Sequence, residues 1–416
     1  MANILVVGAG QAGLQLALGL QADGHDVTVT TDRTAEQVRE GRVLSTQCMF
    51  GGALAHEAAL GLDLWADEAP AVEGLGVSVS GPEAARVIDW VARLDAPGRS
   101  VDQRIKMPRW LELFAERGGK VVVETVTAAS LDAVAANYDL ILLATGKGDL
   151  SALLGRDAAR SPYTAPQRSL ALAYVHGLGP RPEHDFAAVR CNLVPGVGEL
   201  FVIPALTLSG ACDILFWEGV PGGPVDVFQS EGGAPLAPQQ QLDTILDLMR
   251  TYVPWEYERT RGGVELTDER ATLAGRLTPT VRHAVGELPS GALVLGVSDA
   301  VVTNDPITGQ GSNTASKCAA SYLASIRAHG DRPFDREFLQ GAFDTFWAQT
   351  GEPVTAWTNA MLAPPPEHVL QLIGAAGQLP AVAHRFANGF DSPEDFPNWF
   401  FTPEAAAAYL AQVSGS

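Results

Sequence analysis

Three spacings of apolar residues alternate along the chain. Unbroken apolar runs come first: Ile4-Leu5-Val6-Val7, then Leu140-Ile141-Leu142-Leu143 and Leu293-Val294-Leu295. Short runs of this kind, bounded by turn residues, predict strands buried on both faces. Asp26–Thr30 and Lys120–Glu124 read as further strands, the latter short and buried. A second pattern is of short strands with turn signals between them. Val77-Ser78-Val79-Ser80 alternates within one or two strands between Val72 and Val91. Ser169–His176, Arg190–Val194, Glu199–Ile203 and Ala211–Glu218 follow, with the turn Pro195-Gly196-Val197-Gly198 making a hairpin. Such a succession predicts an antiparallel sheet, distinct from the parallel one.

The third spacing is helical. Leu242, Ile245, Leu246 and Met249 stand at i, i+3, i+4 and i+7, one face of a packed helix. Helices also fit Leu14–Leu20, Ala53–Leu60, Asn313–Ala328 and Trp110–Arg117, the last stopped by Gly118-Gly119 in the manner of a C-terminal glycine. From about Arg332 the chain reads as helical, broken at Pro364-Pro365-Pro366. Thr402-Pro403 makes an N-cap and first-turn pair before Glu404–Val413. The Gly- and Pro-rich segment Val220–Pro238 reads as a loop.

The first strand-to-helix junction carries chemistry. Gly8-Ala9-Gly10-Gln11-Ala12-Gly13 lies between the strand at Ile4–Val7 and the helix at Leu14–Leu20, the order a dinucleotide fingerprint requires. Gly8 makes the tight turn, Gly10 lets the backbone approach a pyrophosphate, and Gly13 lets helix and strand pack closely. Free N–H groups and the helix dipole then favour phosphate at that end. Asp32, in Thr30-Thr31-Asp32-Arg33, is the acidic candidate for the cofactor ribose, one place later than usual. Its alternative is a solvated turn residue. Arg42 lies where an arginine can meet a flavin or a phosphate, and by itself also reads as a surface residue.

A second informative stretch runs from Leu293 to Asn313. A strand delivers Asp299 to its end, and a turn with Pro306, Gly309 and Gly311 opens the next helix. Asp299 is placed to accept hydrogen bonds from a sugar-alcohol chain. Backbone N–H groups near Gly309–Asn313 are placed to hold an electron-rich ring edge. The alternative, a capped helix after a core strand, leaves the joint spacing with the fingerprint unexplained.

Composition changes this picture little. The chain has 416 residues, 46% apolar and 18% charged, enough for two or three domains. Its formal charge of −20 argues against nucleic acid or an anionic membrane as partner. Cys48, Cys191, Cys212 and Cys318 lack CxxC spacing and read as reduced thiols of a cytoplasmic protein. No signal peptide, spanning helix or metal cluster is expected, and the eight histidines show no ligand spacing.

Taken together, Gly8–Gly13, the strand closing at Gly146, and Asp299 with Pro306–Asn313 resemble the flavin monooxygenases of the p-hydroxybenzoate hydroxylase type. Two departures stand out. Ser298 occupies the place where that family usually has Gly before the Asp. The usual Asp-Gly pair after Gly146 is replaced by Gly146-Lys147-Gly148-Asp149-Leu150, which implies reduced flavin made elsewhere. More closely, the whole chain resembles the epoxidase component of two-component styrene and indole monooxygenases. The matching residues are Thr30–Arg33, Arg42, Val101-Asp102 with Arg104, Ala144-Thr145-Gly146-Lys147, and Asp305-Pro306 with Gly309-Gln310-Gly311. Ser45, Gln47 and Met49, with Val72 and Leu75, resemble the indole-preferring branch.

The resemblance implies an α/β fold with a Rossmann-like FAD-binding domain, an antiparallel-sheet substrate domain and a helical C-terminal tail. Residues 1–75, 98–165 and 270–330 would form the discontinuous FAD domain, 76–97 and 166–269 the substrate domain, and 331–416 the tail. It implies FAD, supplied reduced by a separate NADH-dependent flavin reductase, and O2. A flavin C4a-hydroperoxide would pass oxygen to the indole C2–C3 bond, with side activity on styrenes and sulfides, and the protein would position substrate and exclude water. Gly8, Gly10, Gln11, Ala12, Gly13, Asp32, Arg33, Arg42, Arg104, Gly146, Asp299, Pro306, Gly309, Gly311, Ser312 and Asn313 would hold the cofactor. Ser45, Gln47, Met49, Val72 and Leu75 would shape the aromatic pocket, although Met49 also reads as a core filler and Ser45 and Gln47 as turn residues. No catalytic side chain is assigned, and a homodimer is allowed for. The alternatives are a styrene-type preference, a single-component NAD(P)H-dependent hydroxylase, and a flavin-binding protein without turnover.

Overall fold

The computed structural model describes residues 1–145, 148–229 and 233–415. Gly146 and Lys147 of the sequence reading therefore lie outside the described residues.

The unbroken apolar runs do form one buried sheet. Its six strands pair in the order Val285–Glu287, Leu293–Gly296, Leu140–Leu143, Asn3–Val7, Asp26–Thr31 and Lys120–Val123. All neighbours are parallel except the first pair. Ile4, Val6, Leu142 and Leu143 are fully buried at its centre. Lys120–Val123 is the exception to the expectation: it is the edge strand, and Val123 is 48% exposed. Helices Gln11–Ala22 and Gly311–His329 pack together, so closely that a Cβ on Gly19 would meet Leu323 at 2.5 Å.

The antiparallel sheet is larger than its sequence signals. Among the described residues nine strands take part. Eight run in the order Glu265–Leu266, Ser169–His176, Gly210–Gly219, Gly198–Thr207, Ala188–Val194, Val72–Ser80, Arg86–Ser100 and Cys48–Met49; Thr272–Arg276 also pairs with Ser169–His176. The pair Val72–Ser80 and Ala188–Val194 is parallel, the other neighbours antiparallel. Strands Val72–Ser80 and Arg86–Ser100 run unbroken through residues 75–76 and 97–98, so this sheet takes in more of the chain than 76–97. A register shift between Val72 and Gly74 changes which face Val72 meets. Val72 and Leu75, three residues apart, consequently share one core.

The two faces of this sheet bury different cores. Its outer face packs on Leu242, Ile245 and Met249 of helix Pro238–Tyr252. Its inner face packs on C-terminal helices Glu352–Leu362, Glu367–Ala376, Pro380–Asn388 and Pro403–Ser414 and on the turn Pro393–Asn398, through Trp357, Phe386, Phe396 and the adjoining Trp399. Helix breaks fall where the prolines predict, between Leu362 and Glu367, and Thr402 Oγ1 accepts from the Ala405 N–H. All four cysteines are free and buried, and burial pushes the thiols of Cys48, Cys191 and Cys318 up to about 12. Among the described residues no helix is long and apolar enough to cross a membrane.

Candidate functional site

The fingerprint glycines divide into two that are crowded and one that is open. Gly8 has φ +116°, and a Cβ there would stand 2.7 Å from the Ala144 carbonyl oxygen; one on Gly13 would stand 2.1 Å from that of Gly8. Only glycine fits either place. A Cβ on Gly10 would meet no atom within 4 Å. Gly10 also starts helix Gln11–Ala22 with no side-chain cap and no acidic residue in the first turn, so the first N–H groups are left for an anion. Gln11 and Ala12 are buried. The Gln11 amide donates to Glu57 at 2.8 Å, and Glu57 is paired with buried Lys106. Lys106 in turn lies 3.2 Å from the Met49 sulfur and 4.8 Å from the Trp110 ring centre.

The second stretch repeats this architecture. Strand Leu293–Gly296 is followed by a single tight turn, Ser298–Ala300, which carries Asp299 just past the strand rather than on it. Ser298 has φ +51°. This left-handed backbone explains why the family places glycine there. Asp299 is accessible to solvent yet hemmed in by protein, which pushes its carboxyl up to about 6. Asp305 Oδ1 accepts from the Ile307 N–H and sets the turn Pro306–Thr308; Gly309 closes it with φ +62°. Cβ atoms on Gly309 or Gly311 would meet nothing within 4 Å. Helix Gly311–His329 again begins with no side-chain cap and no acid in its first turn. The Gln15 amide donates to the Ser316 carbonyl at 3.2 Å, which joins the two helices near their starts.

Two uncapped helix starts and three open glycines fit an elongated cofactor with phosphates at one end and an electron-rich ring at the other. The fit is poorer at the periphery. Asp32 and Arg33 are exposed at 62% and 38% and pair with each other at 3.6 Å, and Arg42 is exposed. Arg104 is buried and spends all three guanidinium nitrogens on Asp102, Asp268 and Thr207. Its contribution is to hold the wall, not to reach a ligand directly.

Of the expected pocket residues, Ser45, Gln47 and Met49 stand on segment 45–50, which is bonded to the glycine turn through Cys48 and Phe50. Asn313 accepts from the Phe50 N–H at 2.8 Å and donates to the Cys48 and Gly309 carbonyls at 2.9 and 3.0 Å. It therefore stitches segment 45–50 to the glycine turn. The Ser45 carbonyl accepts from the Tyr174 hydroxyl at 2.7 Å, and Gln103 donates to the Ser45 hydroxyl at 3.1 Å. Gln47 has φ +52° and a buried side-chain oxygen with no hydrogen-bond partner, a strained residue of the sort that clusters at functional sites. Met49 packs on Ala53 and Leu54. Val72 and Leu75 are fully buried in the inner core. Sequence reasoning missed Tyr174, although its place in the alternating strand Ser169–His176 aims it inward, and it missed the Glu57–Lys106 pair, which leaves no local signal.

A family model described as "Styrene monooxygenase A putative substrate binding domain" matches residues 146–259. "Styrene monooxygenase StyA" of Pseudomonas sp is 31% identical over 422 residues, covering 99% of this chain and 98% of the relative. The chain belongs to the styrene monooxygenase family. A styrene monooxygenase StyA of Pseudomonas fluorescens is 30% identical with the same coverage. Among solved structures, p-nitrophenol 4-monooxygenase PnpA of Pseudomonas putida DLL-E4 matches with TM-score 0.62 at 14% identity, over 94% of this chain and 99% of that one. The flavin-dependent halogenase CmlS matches with TM-score 0.63 at 17% identity, over 85% and 62%. The styrene monooxygenase family chain thus has the p-hydroxybenzoate hydroxylase type of fold expected from its motifs. It is an FAD-dependent monooxygenase, using FAD and O2.

Proposed function

We propose that this chain is the oxygenating component of a two-component system, receives FAD already reduced by a separate NADH-dependent flavin reductase, and epoxidises indole at C2–C3. The observation that carries the substrate is Gln47, a strained and buried amide whose oxygen has no partner, on a segment stitched by Asn313 to the glycine turn. An indole N–H is a donor such an acceptor lacks; a styrene vinyl group offers none. Gly8 to Gly13 would take the pyrophosphate, Asp299 the ribityl hydroxyls, and Pro306, Gly309, Gly311, Ser312 and Asn313 the ring edge. Asp32, Arg33 and Arg42 would lie toward the adenosine end. Ser45, Gln47 and Met49 would face the substrate, with Val72 and Leu75 packing behind them.

Reduced FAD with O2 supplies an electrophilic oxygen atom. The chain's own work is to align the aromatic ring and keep water out. A styrene-type preference is the second reading, favoured by the names of the relatives.

Purified protein with FAD, NADH and either indole or styrene, with and without an unrelated flavin reductase, tests both. Indoxyl and indigo formed only with reductase, and faster turnover of indole than styrene, are the expected results. Gln47→Leu should lower kcat/KM for indole about tenfold, the value of one hydrogen bond, and spare styrene. NADH oxidation coupled to hydroxylation without reductase would overturn the two-component reading. Equal losses on the two substrates would overturn the role of Gln47.

A further inference from the structure

The inner face of the antiparallel sheet carries an unbalanced acidic group beneath the glycine turn. Glu199 and Glu218 are direct partners on neighbouring antiparallel strands, where like charges repel. Phe201 and Phe216, two residues along each strand, belong to the inner core, so both glutamates face inward. Asp305 joins them from the residue that starts the Pro306–Thr308 turn, and Glu218 and Asp305 are 0% and 2% exposed. The cation facing this group is Arg168, whose Nε and Nη2 are both spent on Glu199 at 2.8 and 3.0 Å. Tyr163 also lies near Asp305, its hydroxyl donating to the Asn359 carbonyl at 3.3 Å. Neither oxygen of Glu218, nor Asp305 Oδ2, has a hydrogen-bond partner.

Three ionised carboxyls against one guanidinium would leave two uncompensated charges out of reach of water, an arrangement that breaks apart. One proton resolves it. Glu218 and Asp305 act on each other as close acidic neighbours, and Asp305 already uses one oxygen to cap the turn, which leaves Oδ2 open.

We propose that Glu218 keeps its proton and donates it to Asp305, and that this acid–carboxylate bond clamps the Pro306–Gly309 turn to the antiparallel sheet. Glu218 is then a positioning residue for the ring end of FAD, an assignment that rests on the cofactor placement given above. The electrostatics agree in direction. Burial, and then the neighbouring Asp305 and Glu199, hold the Glu218 carboxyl well above the usual range, and burial pushes Asp305 up to about 6. The folded state thus holds a proton that the unfolded chain gives up above the ordinary carboxylate range. This contribution to stability is full below the ordinary carboxylate range and falls as pH rises above it.

Two readouts on the full chain test the clamp: melting of the protein without FAD, and FAD affinity by fluorescence titration, each between about pH 5 and pH 9. In the wild type both should decline with rising pH, FAD affinity by about tenfold. Glu218→Gln offers an N–H donor at every pH. It should flatten both profiles and melt about 2 °C higher than wild type at the alkaline end. Asp305→Asn, which keeps an acceptor for Glu218 and removes the second charge, should flatten them likewise. Slopes unchanged in both variants would overturn the proposal, as would wild-type FAD affinity that does not move with pH. Failure to bind FAD at any pH would instead overturn the cofactor placement, and the melting slopes would still decide whether the proton is shared.

Discussion

The two walls of the site are made from different materials. On the fingerprint side, function is written in backbone: a Cβ has no room on Gly8 or Gly13, and N–H groups are left free at Gly10 and at the Gly311–His329 helix. On the antiparallel side it is written in buried charge: Arg104 on Asp102 and Asp268, and Arg168 on Glu199. A backbone wall approaches its ligand closely and tolerates no added atom. A charged wall can be placed only if each partner is present, because a lone buried ion is far costlier than none. The first wall sets where a cofactor lies; the second sets the shape of what faces it.

That contrast can be broken from either side. The largest effect should come from Gly13→Val, whose side chain would collide with the Gly8 carbonyl. At about 3 kcal/mol or more, FAD affinity should fall about a hundredfold. Flavin titration checks this, and binding as tight as wild type would refute the glycine assignment. Asp102→Ala tests the other wall. It leaves Arg104, 1% exposed, short of one of its two carboxylates, and should destabilise by about 3 kcal/mol in urea unfolding. Loss of FAD affinity without loss of stability would mean that Arg104 touches the cofactor after all. The smallest effect sharpens the comparison. Ser298→Gly relieves a left-handed backbone and should stabilise by about 0.5 kcal/mol or less, since glycine also loses more chain entropy on folding. A destabilised variant would show that the Ser298 side chain holds the Asp299 turn.

What was legible in the sequence follows the same division. The Gly8–Gly13 junction, the hairpin around Pro195–Gly198 and the Thr402 cap all depend on residues a few places apart, and each lies where the pattern puts it. The strand at Lys120–Val123 was placed but not its exposure, because an apolar run does not say whether it ends a sheet. The turn that displaces Asp299 from its strand hides behind a serine where glycine would have signalled it. The charge pairs are wholly silent. Arg104 and Asp268, or Glu218 and Asp305, come from distant parts of the chain and have no spacing to read. Segment 45–50 was singled out by resemblance, yet its link to the glycine turn through Asn313 emerges only once the chain is folded.

The four buried cysteines acquire a meaning once the chemistry is known. A protein that brings reduced flavin and oxygen together lives beside its own source of hydrogen peroxide. Peroxide oxidises thiolates, not thiols, and here each sulfur is hidden, with Cys48, Cys191 and Cys318 kept protonated far beyond neutral pH. When a turnover misfires, the escaping oxidant finds no ready thiolate to attack. The same close packing that holds the fold together also shelters these thiols from the oxidant made beside them.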